Sequence, residues 1–289
     1  MDREVGRLSP ATRRAQHCYL FNSTKMIQTF VFFDIETTGL IIKGKMPKII
    51  ELSFVAVTRD NMCLKRREIP RVLQTLTVPV NPNITIPPAI ENLTELTNEC
   101  LQNVPLFNEK IFALINNFLD TLIMPICFVA HNGYHFDYPI LLWELKCLNK
   151  DLASNILCID TLSLFKDFFQ NNNKLLIKDF KTNILNSPIC SRDKNLNTSL
   201  SEDKMQKSQT VKKELNIAVP TKEENHIYRE PKNFKLTTIY EHLFNTPAGK
   251  VHTAQGDCIN MLHCANYLGE YFLEWCDHNA KPLIEKRYN

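Results

Sequence analysis

The ten cysteines of this chain include no CxxC pair, no secretory signal stands ahead of its sequons, and its formal net charge is only +3 over 289 residues. Each absence excludes something. Without metal-binding or redox spacing, Cys63, Cys127, Cys158 and Cys258 fall inside apolar segments, where a free thiol behaves as a small hydrophobe. This favours a reducing compartment, nucleus or cytoplasm, in which the sequons at Asn22, Asn83, Asn92 and Asn197 carry no meaning. The most apolar long stretch, IFALINNFLDTLIMPICFVA, is interrupted by Asn116, Asn117, Asp120 and Pro125, so it is not a membrane span. Ile111, Leu114, Ile115, Phe118, Leu119 and Leu122 instead draw one face of a helix that ends before Pro125. The small net charge means that a polyanionic partner would have to be held by a local basic surface and by metal ions.

What is present is enough for a sizeable core, since 44% of the residues are hydrophobic. Periodicity and turn signals predict strands at 28–35, 49–59 and 72–80, helices near 91–101 and 106–122, a strand at 126–131, a helix at 137–149, a strand at 155–160 and a helix at 161–169. Three further helices close the chain. Three early strands without intervening helices suggest an antiparallel meander, and the later alternation adds parallel strands. The strand at 72–80, VLQTLTVPV, is expected at the sheet edge. Residues 1–25 are Arg-rich and precede Met26, which could itself be an initiator; Asp2 and Glu4 do not suit a transit peptide, and a disordered extension over 1–26 is expected. Residues 187–233 are polar, mixed in charge and without a sustained period. Such a segment buries too little apolar surface to offset its ordering entropy, and it reads as a mobile insertion within a single domain over 27–289.

Four acids and one imidazole stand in three short blocks: Asp34 and Glu36 in FFDIETTGL, Asp137 in AHNGYHFDYPIL, and His252 and Asp257 in VHTAQGDCINML. QTFVFFDIE reads as a buried strand, so residues i and i+2 share a face and Asp34 and Glu36 point the same way. Two carboxylates that close repel unless a cation lies between them, and a hard divalent ion resolves the conflict. Thr37, Thr38 and Gly39 then end the strand, placing the acids at its C-terminal end, the usual ligand edge of an α/β sheet. Asp137 falls at the start of a helix that follows a strand, where it either joins the acids or caps the helix and complements its dipole. His131 and Asn132 are expected to hydrogen-bond the turn between them. His252 and Asp257 are five residues apart, about 500° of helical rotation, so they do not share one helical face. His252 belongs in the loop before the helix, and Asp257 in its first turns. Paired acids with a histidine in this order point to a magnesium site, phosphodiester chemistry and a general base.

With these blocks in place the chain resembles the DEDDh 3′→5′ exonucleases, and within them the three-prime repair exonuclease family. The likeness is carried by DIETTGL, HNGYHFDYP and HTAQGD, and extends to PKIIELSFVAVTRD, CIDTLSLFKDF, LTTIYEHLF and WCDHNAKPL. It covers about 28–186 and 234–284. There are two departures: the family's segment before the second block appears here as Leu93, Thr94, Glu95 and Leu96, without a glycine, and the stretch at 187–233 is longer than is usual.

The resemblance implies a ribonuclease H-like α/β fold, a mixed sheet of about five strands flanked by helices. It implies an enzyme that shortens DNA from its 3′ end and releases nucleoside 5′-monophosphates, using two Mg2+ ions with Mn2+ as a substitute. Asp34 would be shared by both ions, Glu36 and Asp257 would support the ion beside the attacking water, Asp137 the one beside the leaving group, and His252 would take the proton. Leu40, Leu93 and Phe136 match positions that contact the terminal nucleotide; ordinary core packing is the alternative for each. A homodimer joined through the edge strand is implied, with single-stranded DNA or DNA 3′ ends as partner. No membrane anchor is expected, because no hydrophobic tail follows the last block. An RNA-directed exonuclease would share every one of these residues, and a binding module that has lost catalysis is disfavoured because all five positions are filled.

Overall fold

The computed structural model describes residues 26–62, 69–170 and 229–283. The N-terminal extension, most of the polar stretch at 187–233 and Cys63 lie outside these residues. The chain divides into two compact units, Met1–Lys166 with Pro231–Asn289, and Asp167–Glu230; every labelled element below belongs to the first.

The sheet grows from near-continuous apolar runs, which suit strands covered on both faces. Strand β1 (Thr29–Thr37) pairs antiparallel with β2 (Ile49–Thr58), which pairs antiparallel with β3 (Gln74–Pro79). β1 also pairs parallel with β4 (Ile126–Ala130), and β4 with β5 (Leu157–Asp160). A two-residue strand, β6 (Lys281–Pro282), adds antiparallel to β5, so the order is β3-β2-β1-β4-β5-β6. The mixed sheet therefore has six strands, one more than the sequence suggests, because a lone Lys-Pro pair carries no periodic signal. β3 stands at the edge as expected. The core rests on stacked aromatics: on one face Phe30 and Phe32 meet Phe272 at centroid distances of 4.9 and 6.2 Å, and on the other Phe33 stacks on Phe54 at 4.7 Å and meets Phe128 at 5.8 Å.

After β2 comes a single turn, α1 (Arg59–Met62). The helix expected over 91–101 is two short helices, α2 (Pro88–Thr94) and α3 (Asn98–Leu101). Glu95 stops the first in the left-handed region at φ 61°, and the Thr97 hydroxyl caps the second by accepting from the Cys100 N–H. Helix α4 (Glu109–Asp120) starts where the Asn108 side chain accepts from Lys110 and Ile111. It buries Ile111, Ile115, Phe118 and Leu119, whereas Leu114, assigned to the same face from sequence, is 47% exposed. No helix among the described residues is long and apolar enough to cross a membrane.

Helix α5 (Asp137–Cys147) follows β4, and a further helix begins at 161, directly after β5. The last three helices are α6 (Leu236–Phe244), α7 (Ala254–Leu268) and α8 (Glu270–Asn279). α7 is pinned to the sheet beneath the acids, where the buried Cys258 thiol donates to the Phe32 carbonyl at 3.3 Å. α8 is tied to the start of β1 through Asp277, which pairs with Arg59 at 2.8 Å and accepts from the Ile27 N–H at 3.1 Å.

Candidate active site

The alternation of β1 sends Ile35 into the core and leaves Asp34 and Glu36 half-buried on one face. Asp257, in the first turn of α7, completes a group: one carboxylate oxygen from each of Asp34, Glu36 and Asp257 lies within 4.8 Å of the others. Asp137 takes a distinct position. It is the first residue of α5, only 3% exposed, and its Oδ1 accepts the backbone N–H of Ile35, between the two β1 acids, at 3.2 Å. Asp137 is thus clipped to β1 beside the group of three, and its charge acts strongly on Asp34.

Burial is the chief reason that the pKa of each of the four acids is raised, and repulsion from neighbouring carboxylates adds to it for Asp34, Glu36 and Asp137. The Asp34 carboxyl is pushed well above the usual carboxylate range by burial and then by Asp137, Asp257, Glu36 and Glu51. Glu36 is pushed up to about 8 by burial, with Asp257, Glu51 and Asp137 adding to it. Asp137 is likewise raised to about 8, chiefly by burial, although its own and the Ile35 N–H groups pull the other way. Asp257 is raised by burial and moderated by the His252 N–H, Asn260 and the His252 imidazole. Oxygen donors brought this close and this poorly solvated are a ligand set for a hard divalent cation, which would hold them ionised together. The residues present therefore fit the metal that the sequence blocks imply.

His252 stands in the loop before α7, exposed, with a left-handed backbone at φ 59°. Its N–H donates to Asp257 Oδ2 at 3.0 Å, which fixes the loop against the acid group. Thr253 caps α7 by accepting from the Gly256 N–H. Gly256 has no alternative here, because a Cβ would collide with the Lys250 carbonyl oxygen.

The three residues expected to contact a nucleotide are less alike. Leu40 is 73% exposed and Leu93, on α2, is 47% exposed, so core packing does not account for either. Phe136, just before α5, is partly buried against the main core. His131 reaches beyond the turn to which its sequence context assigned it. One ring nitrogen bonds the Thr161 hydroxyl at 2.9 Å and the other the Phe234 carbonyl at 2.8 Å, and burial lowers its pKa, so it acts as a neutral brace.

Two acids beyond the three blocks also shape the site. Asp160, at the end of β5, accepts from the Asn132, Tyr134 and Leu162 N–H groups at 2.8, 3.2 and 2.9 Å and so organises the loop leading to Asp137. Glu51, on β2, faces Glu36 across the β1–β2 ladder and accepts the Ala254 N–H at 2.8 Å. An acid inside the otherwise apolar run IIELSFVAV is the signal that could have found Glu51.

The arrangement agrees with what the chain is similar to. Mouse three prime repair exonuclease 2 is 36% identical over 143 residues, 47% of this chain and 60% of that protein's length. Bovine three-prime repair exonuclease 1 is 25% identical over 269 residues, 89% of this chain and 69% of that protein. The nuclease domain of 3′hExo, a DEDDh family member bound to rAMP, has the same fold, with a TM-score of 0.51 at 12% identity over 84% of this chain and 92% of that one. This is the ribonuclease H-like arrangement of a mixed sheet flanked by helices. The exonuclease family profile matches residues 31–185, more than half of the chain and all of the sheet except the first two residues of β1 and the last two-residue strand. The chain belongs to the exonuclease family.

Proposed function

We propose that this protein is a magnesium-dependent 3′→5′ exonuclease that trims single-stranded DNA or DNA 3′ ends and releases nucleoside 5′-monophosphates. The observation that carries this reading is the convergence of Asp34, Glu36 and Asp257 within 4.8 Å, with Asp137 clipped to the strand between the first two. The names of the mouse and bovine relatives, three prime repair exonucleases, support the direction of attack.

Asp34, Glu36, Asp257 and Asp137 would hold the ions. When bound, these supply positive charge to the phosphate and to the attacking and leaving oxygens of an in-line displacement. The chain's own groups do the rest. His252 takes a proton from water at a ring nitrogen, and its exposure leaves that proton a path to solvent. The hydrogen bond from its backbone to Asp257 keeps base and acids in register. Exposed Leu40 and Leu93, with Phe136, hold the last nucleotide by apolar and stacking contact, worth roughly 1 to 3 kcal/mol for an aromatic against a base. The edge strand β3 offers a route to a homodimer through strand pairing, which sedimentation of the purified protein would test.

The deciding experiment digests matched 5′-labelled DNA and RNA oligonucleotides with magnesium. Stepwise shortening of the DNA from its 3′ end, prevented by a 3′ block, is expected. Preferential loss of the RNA would instead make this an RNA-directed exonuclease, and cutting of circular single strands an endonuclease.

A further inference from the structure

Glu51 occupies a position that looks unfavourable by itself. It lies directly opposite Glu36 in the β1–β2 ladder, and like charges facing each other across strands destabilise a sheet. Its charge also adds to the repulsion that raises Asp34 and Glu36. What offsets this is the 2.8 Å hydrogen bond that Glu51 Oε2 accepts from the Ala254 N–H. Ala254 is the first residue of α7, so this N–H has no partner within the helix, and the helix dipole favours a carboxylate there.

The consequence concerns the residue two positions earlier. Three backbone N–H groups in or next to the loop that carries His252 are fastened by side chains: that of Gly249 donates to Asn260 Oδ1 at 3.1 Å, that of His252 to Asp257 Oδ2 at 3.0 Å, and that of Ala254 to Glu51. The first two tie the loop to α7 itself. Of the three, Glu51 alone ties it to the sheet that carries Asp34 and Glu36. A cavity of about 430 Å³ lined by Glu51, Thr77, Lys250, Thr253 and Asn260 adjoins this contact, while Ala254 itself is buried.

The structure assigns Glu51 the role of a positioning residue: its carboxylate fastens the His252 loop to β2 and so sets the distance between the base and the carboxylates of β1. This rests on the reading of His252 as the base of a 3′→5′ exonuclease. Two variants of the full chain separate reach from charge. Glu51→Gln keeps the side-chain length and an acceptor oxygen but removes the charge; Glu51→Asp keeps the charge but falls one methylene short of Ala254.

Both are assayed on 5′-labelled single-stranded DNA at saturating magnesium, beside wild type and His252→Ala. The expected result is that Glu51→Asp loses about 10- to 100-fold in kcat with KM within about twofold of wild type, the loss typical of a displaced catalytic group, while Glu51→Gln stays within about threefold. A wild-type kcat for Glu51→Asp overturns the assignment. So does a loss in Glu51→Gln equal to or larger than that in Glu51→Asp, which would mean that the charge is what matters. Should Glu51→Asp fail to melt cooperatively, a loss of more than about tenfold in Glu51→Gln overturns the assignment by itself, and a retained rate is the expected result. An inactive wild type, or a wild-type rate in His252→Ala, overturns the exonuclease reading and this inference with it. With wild type active and His252→Ala impaired, the two Glu51 variants judge the fastening alone.

Discussion

Asp34 is the acid that all its carboxylate neighbours act on, since Asp137, Asp257, Glu36 and Glu51 all raise its pKa in addition to burial. Removing it should therefore separate function from stability. Asp34→Ala is expected to lower nucleotide release by about three orders of magnitude or more while the metal-free protein melts no lower, and at alkaline pH higher, because carboxylate repulsion is relieved. Loss of cooperative melting would show that Asp34 is structural. Asp257→Asn probes the third block in the same way, and retained magnesium-dependent activity would reduce that acid to a brace for His252. For His252→Ala the rate should fall about 10²- to 10⁴-fold, the range of general acid–base catalysis, with the rise in melting temperature on adding magnesium unchanged. An altered magnesium response would move His252 from proton transfer to metal binding.

At the scale of elements, the site is a meeting of one strand end, one helix start and one capped loop. Acids that no local pattern joins become neighbours because β1 pairs parallel with β4, which delivers α5 to the end of β1, and because α7 packs across β1 and β2. Gly256 tests the tightness of that last junction. In Gly256→Ala the new methyl group would meet the Lys250 carbonyl and lie 2.6 Å from Thr253 Oγ1, so the loop must shift or the Thr253 cap must open. Losing such a cap costs about 1 kcal/mol, and the displaced loop carries His252 with it. We expect a modest fall in melting temperature and a larger, at least about tenfold, fall in kcat. A variant that loses stability but keeps its rate would show that the loop is not tuned for catalysis. Strands β1, β2 and β4 were legible in the sequence because both faces of each are buried, whereas the break between α2 and α3 was not, because it depends on the left-handed turn at Glu95 and the Thr97 cap.

For the whole molecule, the buried acids make stability depend on pH in an unusual direction. Glu36 and Asp137 are raised to about 8 in the folded, metal-free protein, while ordinary carboxylates titrate near about 4. Between those values the native state keeps protons that the unfolded chain has released, so stability falls as pH rises from about 4 to about 8 and stays low above it. Melting in the presence of a chelator should show this decline. A divalent cation held only by the folded acid group should raise the melting temperature most at the alkaline end and flatten the slope, and saturating magnesium tests this. In Glu36→Gln the decline should shrink; an unchanged slope would place its origin outside this cluster.

The chain's own sequence determined which residues are candidates for the chemistry and in which order they stand, because a carboxylate beside an apolar run announces both its charge and the strand or helix that holds it. Asp34, Glu36, Asp137, His252 and Asp257 were all legible in that way. The exposed settings of Leu40 and Leu93 were not, since an apolar residue in a turn or on a short helix reads equally well as core. Only the tertiary structure decided that Asp257 joins Asp34 and Glu36 within 4.8 Å while Asp137 is spent partly on the Ile35 N–H. It alone set Glu51 opposite Glu36 and under the first N–H of α7. The physical reason is that composition and period report on neighbours along the chain, whereas strand register and helix packing fix neighbours across it, and electrostatic coupling depends on the second kind of distance.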